Sequence, residues 1–346
     1  MYGNKVSTFF LVTSICFSAC NKKEKANGEK SALDNKNKIV LAYAAGWNSI
    51  IPEPDCLTHI NFAFGHVNET FNGVKISNEN RLRQIAQLKE QSPDLKICLS
   101  IGGWTSGRFS EMAADETCRK AFAADCKRVI DEFKIDGIDI DWEYPTSTAA
   151  GISATPDDTE NFTLLMRDIR KSIGKDKLLT LATVADAKFI DFKRINDDID
   201  FVNVMTYDVG RPPYHHSGLY RSEHSGRITT EEAMIAHIDS GVPPSKIVMG
   251  IPFYGHGTGE IPDFIDYKDI IKLTKFQKHW DDVAKVPYLT DSAGVFVCCY
   301  EDPRSIKYKC EYVLSKGLRG AMYWEYSADA PDGSLRTAVY NGIFQK

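Results

Sequence analysis

The segment Asp136-Gly-Ile-Asp-Ile-Asp-Trp-Glu-Tyr-Pro145 sets acids among apolar residues at a spacing of two. Side chains alternate along an extended chain, so Asp139, Asp141 and Glu143 share one face while Ile138, Ile140 and Trp142 share the other. Neighbouring acids on that face lie about 6.6 Å apart along the backbone and closer at their tips. Three carboxylates this near, partly withdrawn from water, cannot all stay ionised, so at least one pKa must rise and a proton be shared. An acid kept protonated near neutral pH is what general-acid chemistry requires. Two plainer readings compete. A solvated acidic edge would not bracket its acids with isoleucines and a tryptophan. A calcium-type loop would carry Gly at its sixth position and Glu at its twelfth, which this spacing lacks, and no further ligands stand nearby, so no metal and no cofactor are expected.

Such a strand needs cover on its apolar side, and the rest of the chain is organised to supply it. From Lys38 onward, short apolar runs alternate with amphipathic stretches, the pattern of parallel strands joined by helical crossovers. The runs are Ile39–Ala44, His59–Phe64, Lys96–Ile101, Gly137–Glu143, Leu178–Val184, Phe201–Tyr207, Ile247–Phe253 and Leu318–Trp324. Helices are expected at Asn78–Gln91, Asp115–Phe133, Asp158–Ile173, Thr230–Ser240, Pro303–Ser315 and Ser334–Phe344. Eight strands with crossovers predict an α/β fold, a closed (β/α)8 TIM barrel over residues 39–346 with the acids at its mouth. The gap between the first two strands is too short for a full helix. The gap before the eighth is too long, which predicts a small rim insertion over about 254–303, with a helical patch at Phe264–Phe276 and a strand at Gly294–Tyr300.

The bulk composition is that of an ordinary globular protein, 346 residues, 43% hydrophobic and 26% charged, and the length by itself fits either two domains or one large α/β barrel with insertions. A formal charge of −5 and the absence of long basic runs argue against nucleic acid as a partner. The apolar stretch Val6–Ala19 follows Lys5 and is too short to span a bilayer, so residues 1–19 read as a signal peptide. Its end, Phe17-Ser18-Ala19-Cys20, resembles a bacterial lipobox, which implies lipidation of Cys20 and contact with a membrane only through that lipid. Residues 20–38 are nearly devoid of apolar side chains and read as a flexible tether. The expected location is the outer membrane or cell surface, with secretion or the periplasm as the alternative. The remaining cysteines, Cys56, Cys98, Cys118, Cys126, Cys298, Cys299 and Cys310, are odd in number and lack a C-x-x-C spacing, so buried thiols are expected. A monomer is expected.

The acid segment and three shorter motifs resemble family 18 glycoside hydrolases, the chitinase family. The segment from Asp136 matches that family's D-x-x-D-x-D-x-E signature. Ser100-Ile-Gly-Gly-Trp104 is similar to its S-x-G-G on the third strand, Met205-Thr-Tyr-Asp208 to its M-x-Y-D on the sixth, and Trp324 ends the eighth, so the likeness runs from about Val40 to Asp329. The resemblance implies that Glu143 protonates the glycosidic oxygen and then activates water, and that Asp141 holds the substrate's amide N–H. The sugar's own acetamido oxygen would attack C1, with net retention and Tyr207 steadying the acetyl group. Asp139 would share a proton with Asp141 and take hydrogen bonds from Tyr43 and Ser100. Met205 and Trp324 would wall and floor the reacting sugar, Asp208 would bond it from the side, and Phe64, Gly102, Gly103 and Trp104 complete the expected substrate-binding set.

Chitin or N-acetylglucosamine oligosaccharides are the implied partners, and hydrolysis of their β-1,4 bonds the implied activity. Two alternatives stand beside it: an endo-β-N-acetylglucosaminidase of N-glycan cores, and a non-catalytic sugar-binding barrel. Tryptophans 47 and 104 follow strand ends and suit sugar stacking, Trp142 suits packing, and Trp280 has no clear side. Gly102 and Gly103 permit either a tight turn or close approach of a sugar. His215-His216 lacks metal-ligand spacing and reads as a plain loop. Ser327 stands where the family more often has Asp, and the short insertion predicts a shallow groove that yields short products.

Overall fold

A computed structural model describes residues 37–346, together with Met1 and Gly3. The export segment, Cys20 and nearly all of the tether lie outside the described residues. The chain divides into Met1–Lys38 and Ile39–Lys346, and the second unit carries the barrel.

Among the described residues the strands are β1 (Ile39–Ala45), β2 (His59–Val67), β3 (Val74–Ile76), β4 (Lys96–Gly102), β5 (Gly137–Asp141), β6 (Leu178–Val184), β7 (Phe201–Met205), β8 (Ile247–Pro252), β9 (Tyr254–Gly257), β10 (Ile265–Asp266), β11 (Gln277–Asp281), β12 (Val286–Thr290), β13 (Phe296–Cys299) and β14 (Gly320–Trp324). Strands β1, β14, β8, β7, β6, β5, β4 and β2 pair in that order, all parallel, and β1 pairs with β2 to close the ring. The α/β alternation therefore closes as the (β/α)8 TIM barrel that the periodicity predicts. β3 folds back antiparallel on the long β2, a hairpin that the pattern of apolar runs does not show.

The helices that cover the ring are α1 (Glu79–Ala86), α2 (Phe109–Ala114), α3 (Glu116–Phe133), α4 (Asp158–Ile173), α5 (Thr230–Asp239), α6 (Pro303–Ser315) and α7 (Ser334–Phe344). Their starts are written locally. Asp115 accepts from the Cys118 N–H at the head of α3, Thr229 and Glu232 make a reciprocal capping box on α5, and Asp302 precedes Pro303 at the first position of α6. Between β1 and β2 there is one short 3-10 turn, Pro54–Cys56. No helix among the described residues is long and apolar enough to cross a membrane.

Alternation sorts the core into two layers. On β1, Val40, Ala42 and Ala44 pack outward under the helices, while Ile39, Leu41 and Tyr43 join Phe201, Val248 and Met322 inside the ring.

β9 to β13 form a separate antiparallel sheet, ordered β10-β9-β13-β12-β11, between β8 and α6. The stretch Phe264–Phe276, expected to be helical, holds a single turn at Tyr267–Ile270. Pairing of Ile265 with Gly255 keeps its start extended, and Ile265, Tyr267 and Ile270 are buried from there, so tertiary pairing overrides the helical pattern. Only Phe253 separates β8 from β9. Its ring stacks on Tyr323 of β14 with centroids 4.1 Å apart, and its N–H donates to the Trp324 carbonyl at 2.7 Å.

Candidate active site

The ladder of β5 ends at Asp141, two residues short of the expected Glu143, yet all three acids serve the same end of the barrel. Register puts Ser100 of β4 and Thr180 of β6 on either side of Asp139, and Gly102 beside Asp141. Asp139 is fully buried. Its Oδ2 accepts from Tyr43 Oη at 2.9 Å and Ser100 Oγ at 2.8 Å, and its Oδ1 from Thr180 Oγ1 at 2.6 Å and Asn203 Nδ2 at 3.1 Å. Burial nonetheless wins over these four donors and raises its pKa. With both oxygens so occupied, Asp139 has no hydrogen bond to Asp141 among the described contacts. The Asp139 charge still reaches Asp141 and helps to raise its pKa.

Asp141 is the opposite case. It is buried, and its Oδ1 has no hydrogen-bond partner in the protein. Burial, then the charges of Glu143 and Asp139, push its carboxyl well above the usual range. Glu143 stands next along the chain with one edge on the cleft. Crowding by protein, opposed by a hydrogen bond from Tyr144 and reinforced by the Asp208 charge, moves its pKa up to about 7. An acid that titrates there is half protonated at neutral pH.

The glycines before Trp104 are demanded by the protein itself. Gly102 has φ +132°, and a Cβ on it would meet the Asp141 carbonyl oxygen at 1.9 Å. Gly103 has φ +92°, with the Phe64 ring 2.7 Å from where its Cβ would stand, and its N–H donates to the Asp141 carbonyl at 2.9 Å. The turn thus seats the backbone of Asp141. Gly102 also lines the cleft; Gly103 lies behind Phe64.

The acids open into a cleft of about 760 Å³ at the C-terminal ends of the strands. Trp324 stacks on Phe64 at 5.6 Å, with Tyr43 at 5.6 Å and Trp47 at 6.1 Å from its ring. Trp47 and Trp104 are 68% and 57% exposed, so broad aromatic faces meet water at the cleft edges. Met205 and Tyr207 line the wall between Asp141 and Asp208. Of the expected site residues, Asp139 and Ser100 sit beneath this surface, and Gly103 is set back from it. Trp142 is packed on Phe109 with centroids 5.3 Å apart. Trp280 lies off the cleft, under the Arg304 guanidinium at 3.8 Å.

The far wall was not foreseen. Tyr254 and His256 of β9 and Phe264 beyond it line the cleft, with Arg211 and Arg227 at its rim. Tyr254 Oη donates to Asp208 Oδ1 at 2.6 Å, and His256 Nε2 is 2.7 Å from the same oxygen. Burial would raise the Asp208 pKa, but the histidine and tyrosine contacts prevail and hold it well below the carboxylate range. The position of Tyr254 directly after a barrel strand is a signal that could have pointed to this wall. The loop at His215-His216 is not plain either. Both rings are buried: His215 Nε2 is 3.1 Å from Asp281 Oδ2, and His216 Nδ1 is 3.9 Å from Asp208 Oδ1. Asp208, His216 and His256 offer the one grouping among the described residues whose donor atoms could converge on a cation, all within 4.8 Å of one another. The hydrogen-bond contacts to Asp208 Oδ1 already occupy that space.

A TIM barrel whose mouth joins a protonatable acid pair to a trough of aromatic rings defines the glycoside hydrolase class. The model for glycosyl hydrolases family 18 matches residues 36–329, and the chain belongs to that family. Chitinase A1 of Niallia circulans is 29% identical, over 94% of this chain and 61% of that relative. Chitinase 63 of Streptomyces plicatus is 31% identical, over 83% of this chain and 56% of that relative. The chain thus spans less than two thirds of the length of either. A solved glycoside hydrolase family 18 N-acetylglucosaminidase from Paenibacillus barengoltzii superposes with a TM-score of 0.80 at 34% identity, over 88% of this chain and 99% of that one.

Proposed function

We propose that the chain hydrolyses β-1,4 bonds between N-acetylglucosamine units of chitin or its oligomers, with retention and with the substrate's acetamido group as the nucleophile. The observation that carries this reading is the pairing of Asp141, buried with an oxygen that no protein donor reaches, with Glu143, whose pKa is up to about 7. In this reading Glu143 gives its proton to the departing oxygen and later takes one from water. Asp141 accepts the acetamido N–H and turns its oxygen toward C1. Tyr207 steadies the acetyl group from the facing wall, Asp208 bonds the sugar from the side, and Tyr43, Phe64, Met205 and Trp324 shape the trough beneath it. Asp139 backs Asp141 from below, held by Ser100 and Tyr43. An acid on the same strand, rather than a second carboxylate across the sugar, suits an internal nucleophile.

Glu143→Gln is expected to lower turnover by about 10³-fold or more while oligosaccharide binding stays measurable, because the amide keeps the shape but cannot donate a suitable proton. In the parent, activity is expected to fall as pH rises through about 7, where Glu143 would lose its proton. Retained activity in the variant would remove Glu143 from this role. Mass analysis of products from chitin oligomers and from a high-mannose glycoprotein tests the substrate; cleavage of the glycoprotein alone would overturn the chitin assignment. Likeness to the solved N-acetylglucosaminidase favours a second reading, release of single sugar units, which the same product spectra separate from release of dimers and longer pieces. The exported lipoprotein form rests on Phe17-Ser-Ala-Cys20 alone, and palmitate labelling with and without Cys20 tests it.

A further inference from the structure

His256 contains more hydrogen bonds than a neutral histidine can make. The ring is 2% exposed. Its Nδ1 lies 2.6 Å from the Asp263 carbonyl oxygen and 3.1 Å from Asp263 Oδ1, and its Nε2 lies 2.7 Å from Asp208 Oδ1. A peptide carbonyl only accepts, so Nδ1 carries hydrogen; an ionised carboxylate only accepts, so Nε2 carries one as well. A neutral imidazole has a single N–H. One additional proton therefore belongs to the Asp208–His256 pair. Imidazole is the stronger base by more than two pH units in ordinary peptides, about 6.5 against about 3.9, and Asp208 keeps a 52% exposed side chain, so the proton resides on the ring.

We propose that His256 is an imidazolium clamp, a positioning residue that ties the Asp208 carboxylate to the rim sheet and so fixes one wall of the cleft beside Glu143. Both donors that the structure gives Asp208 within hydrogen-bond distance, Tyr254 and His256, land on Oδ1, and the residue lines the cleft. The negative charge held there also helps to keep the Glu143 pKa up. Once His256 loses a proton it retains one N–H for two acceptors, and either Asp208 or the Asp263 carbonyl must let go. A metal ion does not account for the geometry equally well. Zinc bonds of about 2.0–2.1 Å at a tetrahedral angle place their N and O ligands about 3.3 Å apart, so a 2.7 Å separation fits a proton.

The groups that face the ring agree with one charge there and no more. Asp208 and Asp263 favour the imidazolium. Arg211 opposes it while donating to Asp263 Oδ1 at 2.8 Å. His216 meets the ring edge-on with centroids 4.9 Å apart, and burial keeps it neutral, with its pKa down at about 4. Tyr254 adds a hydroxyl, and the Cys299 thiol donates to the His256 carbonyl at 3.7 Å. Burial works against the charged ring, yet the Asp208 contacts prevail and raise its pKa.

The effect on turnover rests on the function proposed above, but the protonation state does not, and this separates the two tests. Nitrogen-15 spectra of the full chain carrying Glu143→Gln, which removes turnover, are expected to show His256 protonated on both nitrogens at pH 7 and titrating above 6.5, with His216 neutral. A neutral His256 at pH 7, or stoichiometric zinc retained on the pure protein, overturns the proposal. On N-acetylglucosamine oligomers, His256→Gln is expected to lower kcat/KM roughly tenfold or more at pH 7, mainly through KM. His256→Arg, a donor that does not titrate, is expected to restore it and to leave the alkaline fall with a single proton. A Gln variant with the parent's pH profile also overturns the proposal. An inactive parent whose His256 is doubly protonated overturns the hydrolase reading and leaves the clamp standing.

Discussion

Asp139, inside β5 in the barrel interior, and Asp208, on the cleft wall just beyond β7, both gather several donors, yet their pKa values move in opposite directions. Asp139 is fully buried and bonded by two hydroxyls of β4 and β6, one phenol and one amide, all neutral; its pKa is raised. Asp208 is half exposed and bonded by a histidine and a phenol; its pKa is lowered. The difference teaches that neutral donors alone soften desolvation without cancelling it, whereas contacts that include basic rings reverse it. Between them stands Asp141, equally buried and without a donor on Oδ1, and so the most perturbed in the direction that favours a proton. One barrel end thus holds a structural acid, a poised acid and a fixed anion.

The contrast can be broken most severely at its centre. Asp141→Asn is expected to lower kcat by about 10²–10⁴-fold with little loss of fold, measured on chromogenic N-acetylglucosamine oligomers; a loss under threefold would place Asp141 outside the reaction. Asp139→Ala strands four buried donors and is expected to cost about 3–5 kcal/mol in urea unfolding, since each loses its only strong acceptor. Asp208→Asn acts on the slope rather than the height of the stability curve. A lowered folded pKa supplies stability that is complete above the unfolded value, about 3.9, and is lost as pH falls toward the folded one. The Asn variant should therefore lose less stability than the parent on acidification below about pH 4; identical acid limbs would show that the Asp208 contacts have no energetic weight. Trp104→Ala is the mildest case. The ring is 57% exposed, so stability should change by less than about 0.5 kcal/mol, while affinity for long oligomers falls roughly three- to tenfold by calorimetry.

Much of this was legible in the sequence because it depends on period and order. Two-residue alternation alone puts Asp139, Asp141 and Glu143 together, and the cover by helices follows from strands that recur with amphipathic stretches between them. α4 and α6 begin and end where the pattern places them, since first-turn acids Asp158 and Glu160 mark the start of α4, Asp302 and Pro303 mark that of α6, and the apolar stripe stops with each end. What could not be read depends on closure. The donors to Asp139 come from β1, β4, β6 and β7, which become neighbours only when the ring is complete and in register. The meeting of His216 and His256 requires the rim sheet to fold back over the loop after β7. The Phe264–Phe276 stretch misleads for a related reason, because its first residues pair with β9 at the edge of the rim sheet, a contact that its own apolar pattern does not announce.

The linkage at Phe253 has a mechanical consequence. With a single residue between β8 and β9, a ring clasped on Tyr323 and a backbone hydrogen bond to Trp324, the far wall has no slack with which to swing. A saccharide must therefore enter sideways or thread endwise into a channel of preset width. Exchange of the whole rim sheet with that of a homologue would alter which chains fit while leaving the acid strand as it is.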